Sequence, residues 1–210
     1  MSAAPFVHPT AIVEPGAQIG PGTSIWDHVH VRGPSTIGSD CIVGGKSYLA
    51  YGVEVGDRVK INSRVYICNG VTIEDGVMVS AGVTFTNDRY PRATDPSLEH
   101  LRSSEPDEHT QLTRVRRGAT IGASAVIGSG LEIGPFAMVG MGSVVLRTVP
   151  AFHLVVGSPA RSIAVVCRCG EPVARHHDGV IEDAENVVCP ACGLRYSIRS
   201  GEVAELNPPS

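Results

Sequence analysis

Four of the six cysteines fall in two tight pairs, Cys167-Arg-Cys169 and Cys189-Pro-Ala-Cys192, with 19 residues between the pairs. Zinc prefers four thiolates in a tetrahedron, and cysteine pairs on tight turns supply two each. Gly170 and Gly193 follow the pairs, as expected where a backbone bends to aim N–H groups at sulfur. The pattern predicts a structural Zn2+ held by Cys167, Cys169, Cys189 and Cys192, with disulfides and free thiols as the alternatives. His176 and His177 are the substitute ligands. Four thiolates leave no open coordination position, so a catalytic metal is not expected. Cys41 and Cys68 stand apart and read as packing residues.

Other side chains could recognise charge. The forks of Arg32 and Arg92 match a carboxylate or a diphosphate, with solvated arginines as the alternative. Arg114, Arg116 and Arg117 form a second basic group. His100, His109 and His153 sit in segments where no carboxylate partner is evident, and no histidine lies between Val31 and Glu99.

These groups need a scaffold. The 210 residues carry 17 Lys+Arg against 21 Asp+Glu, a balance that argues against a nucleic-acid partner or a membrane-surface protein. No run approaches the length of a membrane span, and residues 1–9 lack the basic and apolar regions of an export leader. The expectation is a cytoplasmic protein with no membrane insertion. Aromatics are only 5%, while Gly (24) and Pro (15) are plentiful, which suits short strands and tight corners.

The decisive pattern is a repeat of six. Every sixth residue from Val7 through Phe85 is a branched aliphatic, or Phe at the end, for fourteen consecutive positions; the phase returns from Val115 to Val145. The positions two residues earlier are small or β-branched, apart from Pro5. A helix needs apolar residues about every 3.6 positions and a half-buried strand every 2. A strict six fits one short strand and one corner, and three hexads close a triangular coil. Residues 18 apart then stack, so Val13, Val31, Leu49, Ile67 and Phe85 form one interior column. Gly16, Gly22, Gly52, Gly70, Gly76 and Gly82 fall at corners. The phase breaks over 86–114, an extruded loop, and the repeat ends near Thr148-Val149-Pro150. Residues 1–163 form the coil domain in this reading. Residues 164–210 form a zinc-ribbon-like module of four cysteines, covering the open end or a subunit contact.

The repeat resembles the hexapeptide-repeat acyltransferase superfamily, which implies an all-β, left-handed parallel β-helix. The exit segment Val149-Pro-Ala-Phe-His-Leu-Val-Val-Gly-Ser-Pro-Ala-Arg161 resembles that of CoA- and acyl-carrier-dependent members. Val83-Thr-Phe-Thr-Asn-Asp-Arg-Tyr-Pro-Arg-Ala93 is similar to nucleotide-sugar 3-N-acetyltransferases acting on UDP-2-acetamido-3-amino-glucuronate or dTDP-3-amino-3,6-dideoxyhexoses. Ile25-Trp-Asp-His-Val-His-Val31 resembles a Trp-plus-His segment of the same family. The resemblance covers roughly residues 6–163.

It implies an acetyl-CoA-dependent transfer to the amine of a nucleotide-linked amino sugar. Asn87 is the implied catalytic residue, orienting an amine that attacks the thioester without a strong general base. A corner residue capping a turn is the plainer reading of Asn87. His30, just before the inward Val31, faces outward and joins Arg32, Tyr90 and Arg92 as candidate sugar-nucleotide contacts. Gly140, Gly142, Ser158 and Arg161 are the implied acetyl-CoA contacts, and Arg114, Arg116 and Arg117 could meet a CoA phosphate. The resemblance further implies a homotrimer with active sites between subunits. Two other functions stay open: an O-acetyltransferase using a histidine base, and a non-catalytic assembly protein. The fold also hosts γ-class carbonic anhydrases, whose zinc needs three histidines on the coil; the lack of any between Val31 and Glu99 argues strongly against that chemistry.

Overall fold

The computed structural model describes residues 3–176 and 180–209; His177 lies outside them. Twenty strands of two or three residues run from β1 (Phe6–Val7) to β20 (Val144–Val145), and each ends on a residue of the six-fold series. They stack into three parallel faces. The first face begins with Phe6–Val7, the second with Ile12–Val13 and the third with Ala17–Ile19. Registers advance by one coil of 18 residues, as in Val13↔Val31 and Val31↔Leu49. Each coil donates N–H groups to its successor, for example Ile12 to Val29 O at 2.8 Å. The edges left unpaired are thereby confined to the two ends.

The interior is the expected column set: Val31, Leu49, Ile67 and Phe85 are all buried. The first coil is more open, since Val7 is 40% exposed with no coil beneath it. All six corner glycines have positive φ, and His28, Lys46, Arg58, Arg64 and Ser124 take the same conformation at other corners. A non-glycine residue there costs on the order of 1 kcal/mol.

The loop is shorter than the six-fold pattern indicates. β15 (Thr113–Val115) already pairs with β12 (Val71–Ile73) from Val71↔Thr113 onward, so the irregular part is 86–112. The pattern misses this because Thr113 is polar, although buried. Bridges Asp88↔Thr110 and Thr94↔Leu101 fold the excursion back on itself.

The coil also continues past Pro150. Val149 bridges Ile133 in parallel, and β21 (His153–Gly157) stacks on β19 (Met138–Val139). This rung drops the spacing of 18, with Val139↔Val155, which hides it from a periodicity count. β22 (Ala160–Val166) returns antiparallel and β23 (Pro172–Arg175) extends the same sheet. β24 (Ala184–Val188), β25 (Arg195–Arg199) and β26 (Glu202–Glu205) form a separate antiparallel sheet. A second core of Phe152, Val165, Cys167, Cys189, Tyr196 and Ile198 ties this tail to the last coil. There Phe152 stacks on Phe136 at 5.3 Å and meets Tyr196 edge-on at 5.5 Å.

Candidate functional site

Asn87 lies where the second face turns into the third, at the root of the loop. Tyr51, Asn69 and Asn87 share this corner on successive coils. Asn69 Nδ2 donates to Tyr51 O at 2.8 Å, and Asn87 Nδ2 donates to Asn69 O at 3.2 Å. The Gln111 N–H closes the loop base on Asn87 O at 2.8 Å. The amide is thus oriented by its own nitrogen, which leaves Oδ1 as its free acceptor among the described contacts.

The second face presents an outward column of His30, Tyr48 and Tyr66. The tyrosine rings stack at 5.4 Å and His30 meets Tyr48 edge-on. Glu14, which the sequence reading did not single out, gathers this end. It accepts from His30 Nε2 at 2.7 Å, Arg32 Nε at 2.9 Å and the Gly33 N–H at 3.3 Å. Arg32 Nη1 donates to Tyr48 OH at 3.1 Å. The Arg32 hydrogen bond, aided by His30 and Gly33 against some desolvation, holds the Glu14 carboxyl down at about 2. Glu14 and Arg32 are 18 apart, so the stacking rule alone could have paired them.

His30 and Asn87 do not meet within one chain. Three inter-strand steps separate their coils, about 14 Å. Tyr90 is exposed beside Arg89 and His109. The Arg92 guanidinium donates to Pro91 O and helps line a loop hollow of about 550 Å³. His100 does have a carboxylate partner, Asp95 at 3.3 Å, five residues back within the loop's fold.

Gly140, Gly142, Ser158 and Arg161, by contrast, come together at the corner between the first and second faces. β21 runs toward this corner, Gly157 N–H donates to Ser143 Oγ at 3.2 Å, and Arg161 pairs with Val156 in register. A Cβ on Gly140 would lie 2.7 Å from Val156 Cγ1, whereas one on Gly142 would meet nothing within 4 Å. The result is an open trough. Arg114, Arg116 and Arg117 lie elsewhere, on the third face and its far corner. Arg116 is held there by Glu74 at 3.1 Å and Glu132 at 3.4 Å, so the cluster does not join the trough.

The sulfurs of Cys167, Cys169, Cys189 and Cys192 all lie within 4.8 Å of one another. Cys167–Cys192 and Cys169–Cys189 are 3.4 and 3.6 Å apart. Zinc–thiolate bonds of about 2.3 Å in a tetrahedron need sulfurs about 3.8 Å apart, so the donor set fits. Tyr196 OH donates to Cys167 Sγ at 3.0 Å. Burial pushes the Cys189 thiol up, but N–H groups of Ala191 and Cys192 and the neighbouring thiols outweigh it and bring it to about 7. His176 bonds to Ser162 Oγ at 3.2 Å and is not among the clustered ligands. His153 is buried, bonded to Ser162 Oγ at 2.8 Å and Gly201 O at 2.9 Å.

Residues 16–51 and 52–87 each match the bacterial transferase hexapeptide family (six repeats), and 116–147 match the hexapeptide repeat of succinyl-transferase. The chain is 38% identical over 201 residues to a dTDP-3-amino-3,6-dideoxy-α-D-galactopyranose 3-N-acetyltransferase of Aneurinibacillus thermoaerophilus, covering 96% of this chain and 95% of that protein. The similarity therefore extends into the cysteine tail, beyond the 6–163 of the sequence resemblance. A 56-residue stretch is 39% identical to an acyl-[acyl-carrier-protein]–UDP-N-acetylglucosamine O-acyltransferase of Brucella ovis, covering 24% of this chain and 20% of that one. Among solved structures, AntD, an N-acyltransferase from Bacillus cereus in complex with dTDP and 3-hydroxybutyryl-CoA, superimposes with TM-score 0.54. It is 21% identical, over 79% of this chain and 81% of that one, and shares the left-handed β-helix.

Proposed function

The chain belongs to the hexapeptide-repeat nucleotide-sugar 3-N-acetyltransferases, and from that premise we propose that it acetylates the C3 amine of a dTDP- or UDP-linked amino sugar with acetyl-CoA. The observation that carries the reading is Asn87, whose Oδ1 is turned free at the loop root while its Nδ2 is tied to Asn69. An amine N–H donated to Oδ1 aims the nitrogen lone pair at the thioester carbonyl. The C–N bond forms, the C–S bond breaks, and the departing thiolate or solvent takes the amine proton. Positioning of this kind is worth up to about 7–11 kcal/mol, so no strong base is required.

Gly142 leaves room for the pantetheine arm along the trough, whose wall at Gly140 is Val156, with Ser158 and Arg161 at its exit. His30, Arg32, Tyr90 and Arg92 contact the sugar nucleotide, and Glu14 fixes the first two. The trough and Asn87 occupy opposite edges of the second face, so one chain holds two half-sites that face apart. A homotrimer joins the trough of one subunit to the Asn87 corner of the next. Zn2+ on the four cysteines anchors the tail to the last coil. Thiolate ligands and soluble nucleotide sugars both suit a cytoplasmic location.

The test is release of free CoA thiol from acetyl-CoA with a panel of dTDP- and UDP-linked 3-amino sugars. Release that requires the amino sugar and collapses in Asn87→Ala supports the reading. Release with a hydroxyl acceptor alone moves it to O-acetylation, and no release with any acceptor removes it.

A further inference from the structure

The hairpin that ends the solenoid has two ends with different duties. β21 and β22 pair from His153↔Val165 at the base to Gly157↔Ala160 at the turn. The turn end carries Ser158 and Arg161, and Val156 beside it walls the trough over Gly140. On the coil beneath, β21 pairs only through Leu154 and Val155, with Met138 and Val139. Past Val155 the hairpin overhangs the coil, with the Gly157 N–H reaching back to Ser143 Oγ at 3.2 Å. An overhanging turn takes its position from whatever fixes its base.

The base is gripped from the tail by Tyr196, which is fully buried. Its hydroxyl donates to Cys167 Sγ at 3.0 Å and accepts the Arg168 N–H at 3.1 Å, immediately after β22. Its ring lies edge-on to Phe152 at 5.5 Å, immediately before β21. Between them the Val166 N–H donates to Phe152 O at 2.8 Å and closes the base. One side chain thus touches both legs of the hairpin, about 20 Å of strand from Arg161. Tyr196 is itself placed by β25, which pairs with β24 and β26. Cys189 and Cys192 lie in the turn that joins β24 to β25. The clustered thiols therefore meet the hairpin at Cys167 and the Tyr196 strand at Cys189 and Cys192, so a metal on them would lock that strand against the base.

We infer that Tyr196 is a positioning residue for the acetyl-CoA half-site, coupling the four-cysteine centre to the trough through the β21–β22 hairpin. This rests on the acetyl-CoA reading above. Metal and acetyl-CoA then raise each other's affinity by the same factor, as linkage requires. Asn87, His30 and Arg32 stand on coils outside the hairpin, so the acceptor's nucleotide is indifferent to the metal.

The full-length protein, zinc-loaded and chelator-stripped, is titrated calorimetrically with acetyl-CoA and with dTDP or UDP, and its oligomeric state is followed by light scattering. Stripping is expected to weaken acetyl-CoA about tenfold and to leave the nucleotide and the oligomer unchanged. Acetyl-CoA should raise by the same factor the chelator concentration needed to take the zinc. Tyr196→Phe keeps the ring against Phe152 and removes the hydroxyl. It should retain zinc, yet bind acetyl-CoA equally with and without it. Equal acetyl-CoA affinity in loaded and stripped wild type overturns the inference. So does an equal loss of nucleotide affinity, dissociation of the oligomer as the sole effect of stripping, or undiminished coupling in Tyr196→Phe. If the coupling is found but no amine is ever acetylated, the clamp stands and the acetyltransfer reading falls. If loaded protein binds no acetyl-CoA, both fall.

Discussion

Asn87 donates its side-chain N–H to the backbone carbonyl of Asn69, one coil earlier, at 3.2 Å. The bond fixes which end of the amide faces outward, and a carboxylate cannot reproduce it. In Asn87→Asp an oxygen would oppose the Asn69 carbonyl, and the new charge would hold the acceptor amine protonated. The expected result is a fall of about 100-fold in kcat at pH 7 with thermal unfolding lowered by only a few degrees, read from CoA release and calorimetry.

Glu14 gives a stability prediction with a definite sign. Its carboxyl lies at about 2 in the folded chain against an ordinary 4.5, so the unfolded chain binds the proton more readily. Its contribution is fully present above pH 4.5 and is lost as pH falls toward 2. Urea unfolding of wild type and Glu14→Gln should therefore differ at pH 7 and converge near pH 2. A constant difference across that range would assign the effect to shape rather than charge.

The four cysteines should carry one zinc per chain, measured by elemental analysis of the purified protein. Cys192→Ser should lose the metal and expose residues beyond 167 to protease, while the far-ultraviolet signal of the β-helix persists. Metal content unchanged by the substitution would rule out this ligand set.

Two half-sites on different corners predict complementation. Arg64 occupies the corner column of Gly142 with φ 61, against φ 67 at Gly142, so Gly142→Arg keeps the backbone and fills the trough. Gly142→Arg and Asn87→Ala should each be inactive alone. After unfolding and refolding together, mixed trimers should recover part of the activity. No recovery in a confirmed mixed trimer would place both half-sites in one chain.

Every strand end from Val7 to Val145 was legible because a solenoid repeats its burial pattern with its geometry. The polar Thr113 and the shortened rung at His153–Gly157 were not, since each breaks the pattern without breaking the stack. Gly140, Gly142, Ser158 and Arg161 could be grouped only through resemblance, because a reversed strand brings them together. Glu14 was hidden for a different reason. A lone surface glutamate carries no signal until its coil neighbour, Arg32, is considered with it.

The stacked coils also act as a graduated scale. Every separation along a corner is a whole number of steps of about 4.8 Å, and each regular step costs 18 residues of sequence, the exceptions being the step across the loop and the last rung at His153–Gly157. The reach from the acyl donor to the far end of the acceptor can therefore change only by gaining or losing an entire coil, which would carry His30 a full notch relative to Asn87. Smaller adjustments are left to what stands on each notch, and to the one segment that leaves the scale, residues 86–112.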